Sequence, residues 1–351
     1  MQLIPIEKVT PGMVLAKAIR REQDGKILLR DHTVLKPFYI QRIKNLNYSY
    51  LYIFDPQELE QEYLSLRPIK DETQQKALQL YQKTLERLQN SNSKEKIDLN
   101  KYKEVINEII DDILNNPQVI YNISDIQNYD HYTFTHSVNV TVLSILVGTS
   151  MGYARGDLEI LGIGAMLHDI GKIFISPEIL NKVSRLEPAE YEQVKAHTRK
   201  GYDLLKTKGA FTYLPAQIGL QHHEREDGTG YPRGVTGKSI HRFSKIVAVA
   251  DVYDAMTSRR VYQHPLASLA VLREIISQAS IKFDPVVVDH FTRVVAPYPK
   301  DSVLLLSNGE TVIATGFHRL RFEVRVIEGP RRGTAFDLYQ ATNLTVIKQL
   351  E

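Results

Sequence analysis

"AMLHDIGK", residues 165–172, closes an apolar run with adjacent His168 and Asp169 and with Lys172 three positions on. A helix that only had to bury itself would not end this way, because an unpaired carboxylate is costly to take out of water. The pattern recurs along the chain. His136 in "THSVNV" (135–140) and Asp251 in "VAVADVYDA" (247–255) each interrupt an apolar face, and "LPAQIGLQHHE" (214–224) ends in tandem His222 and His223. A lone helical histidine is ordinarily a core or surface residue. Two in tandem on an apolar helix are hard to bury unless something uses their lone pairs.

With His197 the set comprises five imidazoles and two carboxylates. A metal centre offsets the burial cost of all of them together. Nitrogen and oxygen donors without sulfur suit iron, manganese, zinc or nickel. Seven ligands are too many for one tetrahedral ion but fit two ions that share a carboxylate. Asp169 is the expected bridge, since its neighbour His168 lets one backbone element reach both ions. Such a pair activates water and clamps a phosphate. Lys172, about one helical turn on, would stabilise charge building on phosphoryl oxygens. The expected cofactors are two divalent metal ions of that set, iron and manganese among them.

Bulk composition narrows the class. The 351 residues are 43% hydrophobic and 24% charged, as in globular proteins of two or three domains. A charge of +3 from 44 basic and 41 acidic residues argues against a nucleic-acid polymer as partner. The absence of cysteine excludes thiolate zinc sites and disulfides. "MQLIPIEKVTPGM" has no signal-peptide pattern, and "VTVLSILVG" (140–148) is far short of a membrane span. A cytoplasmic protein without membrane contact is expected.

Four territories follow. Residues 1–55 read as a small N-terminal α/β module, with a turn at Asp24-Gly25 before "ILL" and a strand in "YSYLYIF" (48–54). Residues 56–118 read as a helical connector, in which Val105, Ile106, Ile109, Ile110, Ile113 and Leu114 form one apolar stripe that packs on a core or pairs two copies in a homodimer. Residues 119–298 read as an all-helical domain that holds the unusual chemistry. Residues 299–351 read as a β-rich C-terminal extension, with a hairpin turn at Asn308-Gly309. The fold class expected is mainly α. His32, His241, His264, His290 and His318 are expected at the surface, and His131 beside the site at most.

"HSVNV", "LHDIGK", "HHEREDGTGYP" (222–232), "FSKIVAVADVYDAMTSRR" (243–260) and "FDP" (283–285) occur in an order that resembles the HD superfamily of metal-dependent phosphohydrolases. The stretch at 222–232 is similar to its HD-GYP branch, and the likeness covers roughly residues 120–298. The resemblance implies a bacterial phosphodiesterase that opens cyclic di-GMP to pGpG and often onward to GMP. It implies that His136, His168, Asp169 and Asp251 hold one ion and that His197, His222 and His223 hold the other, with Asp169 bridging. Lys172 resembles the family's phosphate-contacting lysine, Asp130 an acidic residue beside the site, and Arg260 a substrate-contacting arginine. Gly230, Tyr231 and Pro232 form the loop that shapes the pocket and supports contacts with protein partners.

Some positions depart from the family. Tyr132 stands where some members carry a glutamate for a third metal, so two ions are expected. Gln263, Val261 and Glu226 stand where a basic residue, a proline and a tryptophan are usual. A cation missing at 263 removes a phosphate contact of roughly 1–3 kcal/mol. Two alternatives follow: a catalytically weak cyclic di-GMP sensor or interaction module, or hydrolysis of another cyclic dinucleotide such as cyclic GMP-AMP. "VTPGMVLAKAI" (9–19) and the β-rich tail resemble extensions that often flank the family's domain.

Overall fold

The computed structural model describes the chain except for Met1, residues 21–26, 30–32, 34, 47, 55–67, 90–95, 116–131, 183, 209–212, 258–267, 299, 301, 319–320 and Glu351, and side chains are not described at 20, 27, 132–134, 317 and 318. The chain divides into two compact units, Met1–Arg67 and Pro68–Glu351.

The first unit contains β1 (Gln2–Pro5), β2 (Ile19–Arg20), β3 (Ile27–Leu29), α1 (Pro37–Lys44) and β4 (Tyr50–Ile53). β1 runs antiparallel to β4, with Leu3 opposite Tyr52, and β2 pairs with β3. Side chains alternate along β4: Leu51 and Ile53 enter a core with Leu15, Leu35, Ile40 and Ile43, whereas Tyr50 and Tyr52 are exposed. The turn expected at Asp24-Gly25 lies outside the described residues.

In the second unit come α2 (Asp71–Gln89), α3 (Leu99–Asn115), α4 (Tyr132–Ser150), α5 (Arg155–Met166), a 3₁₀ turn (Ile170–Phe174), α6 (Pro177–Leu180), α7 (Pro188–Lys195), α8 (His197–Lys208) and α9 (Tyr213–Gln221). α10 (Arg242–Thr257), α11 (Ser268–Ser277) and α12 (Pro285–Val294) follow. α4 and α10 are rich in apolar residues and largely buried. Their polar residues His136, Asn139, Asp251 and Asp254 are therefore carried into the interior. The "FDP" motif has a structural reading: Asp284 caps α12 by accepting from the Val286 and Val287 N–H groups, and Pro285 opens the helix.

The stripe on α3 faces this same core through Val105, Ile106, Ile109, Ile110 and Ile113, with Ile106 packed on Gly162 of α5. Leu114, read as part of the stripe, is 44% exposed. The stripe is thus covered by its own chain from Val105 to Ile113.

The C-terminal strands β5 (Val303–Leu306), β6 (Thr311–His318), β7 (Arg321–Glu328), β8 (Ala335–Asp337) and β9 (Val346–Leu350) form an antiparallel sheet in the order β8-β7-β6-β5-β9. The β5–β6 hairpin turns at Asn308-Gly309, where Gly309 has φ +82°. Leu304, Val312, Phe322 and Val324 join the helical core. Arg273 of α11 donates to the carbonyls of Leu338, Ala341 and Leu344, which ties the sheet to the helices. No described helix is long and apolar enough to cross a membrane. The architecture is mainly α with a small sheet, as the sequence implies.

Candidate metal centre

α5 ends at Met166, and the chain passes through Leu167, His168 and Asp169 into the 3₁₀ turn. Gly171 makes this possible. A Cβ there would stand 2.0 Å from the His197 carbonyl oxygen and 2.6 Å from the Gly201 nitrogen, so glycine lets the turn lie directly on α8. That close approach brings His168-Asp169 against His197. The tandem pair leaves the end of α9, with His222 buried and His223 half-buried.

These segments meet at one point. His136, His168 and Asp251 form one group of ligand-type atoms, and Asp169, His197, His222 and His223 form another, with the atoms of each group within 4.8 Å of one another. Asp169 reaches both groups. Its Oδ2 lies 3.7 Å from His136 Nε2 and 3.4 Å from His168 Nε2, and its Oδ1 lies 3.3 Å from His197 Nε2 and 3.8 Å from His222 Nε2. Asp251 Oδ1 is 3.1 Å from His136 Nε2, and its Oδ2 is 3.9 Å from His223 Nδ1.

Hydrogen bonds on the far side of the rings decide what faces inward. Nδ1 of His168, His197 and His222 sits 2.6, 2.6 and 2.8 Å from the carbonyls of Ala165, Val194 and Gly219. A carbonyl only accepts, so each Nδ1 carries the proton and each Nε2 presents a lone pair. His197 Nε2 and His222 Nε2 lie 3.4 Å apart with no proton between them. Among the described residues, buried His168 Nε2 and Asp169 Oδ1 have no well-formed hydrogen bond. Converging lone pairs and orphaned buried acceptors cost free energy unless a cation stands among them, so this donor set fits metal ions.

Electrostatics agree. Burial pushes His222 far below the usual imidazole range and, with His197 adding to it against the pull of Asp251, takes His223 down to about 3. Burial would likewise lower His136, but hydrogen bonds to Asp251 and Asp254 raise it to about 9. Burial alone would raise the Asp169 carboxyl, yet Lys172 and the His168 and His197 imidazoles hold it well below the usual range. The Lys172 ammonium bonds Asp169 Oδ2 and stays about one-third exposed, so its cation faces both the carboxylate and solvent.

Tyr231 lies 4.6 Å from the His223 ring at 33°, and its N–H donates to the His223 carbonyl at 3.1 Å. Gly230 is pressed against the same backbone: a Cβ there would fall 2.5 Å from the Arg225 nitrogen and the His223 carbonyl oxygen. Pro232 is exposed. Glu226, placed where tryptophan is usual, pairs with Lys245 at 3.0 Å, and Lys245 also holds Asp284 at 2.8 Å. Asp130, His131, Arg260, Val261, Gln263, His32 and His264, and the side chains of Tyr132 and His318, lie outside the described residues.

Two residues expected at the surface are half-buried with partners: His241 Nδ1 accepts from the Phe243 N–H at 3.2 Å, and His290 Nδ1 lies 2.9 Å from Ser150 Oγ. Two buried acids that support the site are not among the expected residues. Asp254, one turn beyond Asp251, holds His136 Nδ1 at 2.7 Å and is itself held by Asn139 at 2.8 Å. Glu224, buried, accepts from the N–H groups of Arg233 and Val235 at 2.8 and 3.1 Å and so closes the loop after the tandem histidines. The i,i+3 spacing of Asp251 and Asp254 was the available signal.

Residues 135–287 match the family described as HD domain. The chain is 31% identical over 222 residues to a cyclic di-GMP phosphodiesterase of Pseudomonas aeruginosa, covering 63% of this chain and 53% of that protein. It is 41% identical over 165 residues to a cyclic di-GMP phosphodiesterase of Thermotoga maritima, covering 47% and 45%. It is 36% identical over 151 residues to 3'3'-cGAMP-specific phosphodiesterase 3 of Vibrio cholerae, covering 42% and 33%. The chain thus spans about half or less of these relatives. In fold, it is similar to an HDG"Y"P protein from Bdellovibrio bacteriovorus, with a TM-score of 0.52 over 83% of this chain and 97% of that one at 18% identity.

The chain carries a domain of the HD superfamily, whose members are metal-dependent. Relatives named cyclic di-GMP phosphodiesterases match the same region, in keeping with the HD-GYP branch that "HHEREDGTGYP" resembles.

Proposed function

We propose that this protein is a phosphodiesterase that hydrolyses cyclic di-GMP to pGpG, and onward to GMP, with two divalent metal ions held by the seven residues above. One observation carries the reading: the two oxygens of Asp169 face two different groups of inward-pointing imidazoles. His136, His168 and Asp251 hold one ion, and His197, His222 and His223 the other, with Asp169 shared. When bound, such a pair supplies Lewis acidity and a deprotonated water at neutral pH. Iron and manganese suit these donors.

The chain's own residues supply the rest. Lys172, anchored on Asp169 and open to solvent, meets a phosphoryl oxygen as charge develops there. Tyr231, its ring tilted against His223, walls the centre on one side. Asp130 and Arg260 complete the substrate contacts in this reading. The exposed stretch at Pro232 and Arg233 is the face for protein partners, and the setting is cytoplasmic.

The names of the relatives support a cyclic dinucleotide as substrate. Metal analysis of anaerobically purified protein, followed by product identification with cyclic di-GMP and 3'3'-cGAMP side by side, tests this. Two equivalents of iron or manganese with release of pGpG is the expected result. Intact cyclic di-GMP in the presence of bound metals overturns it.

A further inference from the structure

A cavity of about 320 Å³ opens beside the centre, lined by His223 and Tyr231, by Val252 and Met256 of α10, and by Glu274 and Gln278 at the end of α11. Arg225 and Lys282 also line it. Apolar and aromatic lining with a few polar groups suits a planar heterocycle. Of the two Glu274 carboxylate oxygens, Oε1 accepts from Gln278 Nε2 at 3.2 Å, and Oε2 has no partner among the described residues. The framework around it is fastened. The Glu226 and Asp227 N–H groups donate to the carbonyls of Lys282 and Ile281 at 3.3 and 2.9 Å, and Lys245 bridges Glu226 to Asp284.

We propose that this cavity is a guanine-selective subsite: one base of the substrate lies between Tyr231 and Met256, and the Glu274 carboxylate reads its edge. Guanine offers two adjacent donors there, N1–H and the N2 amino group, which a carboxylate accepts together. Adenine offers an acceptor, N1, at the corresponding point, and a carboxylate repels it. Arg225 and Lys282 supply cations for the attached phosphate, offsetting the charge of Glu274. The substrate named here rests on the reading under Proposed function. The cavity and its lining do not.

The test uses metal-loaded protein. Affinities for GMP and AMP are measured by calorimetry, and KM values for cyclic di-GMP and cyclic di-AMP by turnover. Wild type is expected to prefer GMP over AMP by about tenfold or more, the scale of one good bidentate base contact. Glu274→Gln, at an exposed position, is expected to erase most of that preference with metal content unchanged. Met256→Trp, which fills the cavity, is expected to weaken GMP binding by about tenfold or more, comparable to losing a stacked base. A wild type that binds AMP as well as GMP overturns the proposal, as does a preference that survives Glu274→Gln or GMP affinity that survives Met256→Trp. Failure to hydrolyse cyclic di-GMP, with selective GMP binding retained, overturns the proposed substrate and leaves the subsite standing.

Discussion

The two halves of the centre are held by different means. On one side His136 has a carboxylate, Asp254, at its outer nitrogen and a second, Asp251, at its inner one, while His168 beside it is held by the Ala165 carbonyl. On the tandem-histidine side the outer partners of His197 and His222 are backbone carbonyls. Acids pull a proton onto His136, and burial keeps His222 and His223 neutral. One half must therefore give up a proton to hold a cation, and the other presents its lone pairs ready. Asp169 joins halves of unlike chemistry.

The largest effect is expected at that joint. Asp169→Ala removes the one residue that faces both groups, and should empty both halves of metal and lower turnover by on the order of 10³-fold or more. Metal content and turnover, measured together, check this; a variant that still holds one full equivalent breaks the claim that the halves depend on a shared carboxylate. Next in size is Asp254→Asn, which touches only the His136 side. Loss of an outer partner of this kind costs about 10–100-fold in metal affinity. Stepwise metal titration should place that loss in one of two binding events, and an equal loss in both would erase the distinction between the halves.

Protons sharpen the comparison further. His136 is raised from 6.5 to about 9, so in metal-free protein its contribution to stability is full below pH 6.5 and is lost as pH rises through about 9. His223 is lowered from 6.5 to about 3, so its contribution is present above pH 6.5 and is lost as pH falls toward about 3. His136 thus limits the apo protein on the alkaline side, and His223, with His222 and the lowered Asp169 and Asp251 carboxyls, limits it on the acidic side. Thermal denaturation of metal-stripped protein across pH should show both limbs. His136→Gln is expected to flatten the alkaline limb, and His223→Gln to shrink the acidic limb while leaving the alkaline one in place.

Residues that broke an apolar period were legible without coordinates. Buried helices tolerate few ionisable groups, so His136, His168, His222 and Asp251 each announced a use. Asp254 broke the same period on the same helix and was passed over, because its role depends on a ring 118 positions away in sequence. His290 was misread for a like reason: Ser150, its partner, is 140 positions away. Local pattern also fixed the Asn308-Gly309 hairpin correctly, since a turn of that type depends only on its own residues. It overextended the α3 stripe to Leu114, where helix periodicity marks a face but tertiary packing decides how much of that face is covered.

The smallest effect is expected from Glu224, which supports the tandem-histidine half without touching it. Its buried carboxylate takes two backbone N–H groups from the loop that carries Gly230, Tyr231 and Pro232. Glu224→Gln keeps the shape and one acceptor but turns the other oxygen into a donor facing an N–H group. That exchanges a charge-assisted bond of about 1.5–3 kcal/mol for a local mismatch. Because Tyr231 leans on His223, the loop should shift the wall of the site more than the ligands themselves. KM is therefore expected to rise by about two- to tenfold, with kcat and metal stoichiometry nearly unchanged, since the lost contact is made equally with and without the transition state. A fall in metal content instead would mean that the carbonyl-held half depends on its loop as the carboxylate-held half depends on Asp254, and the two halves would differ less than their hydrogen bonds imply.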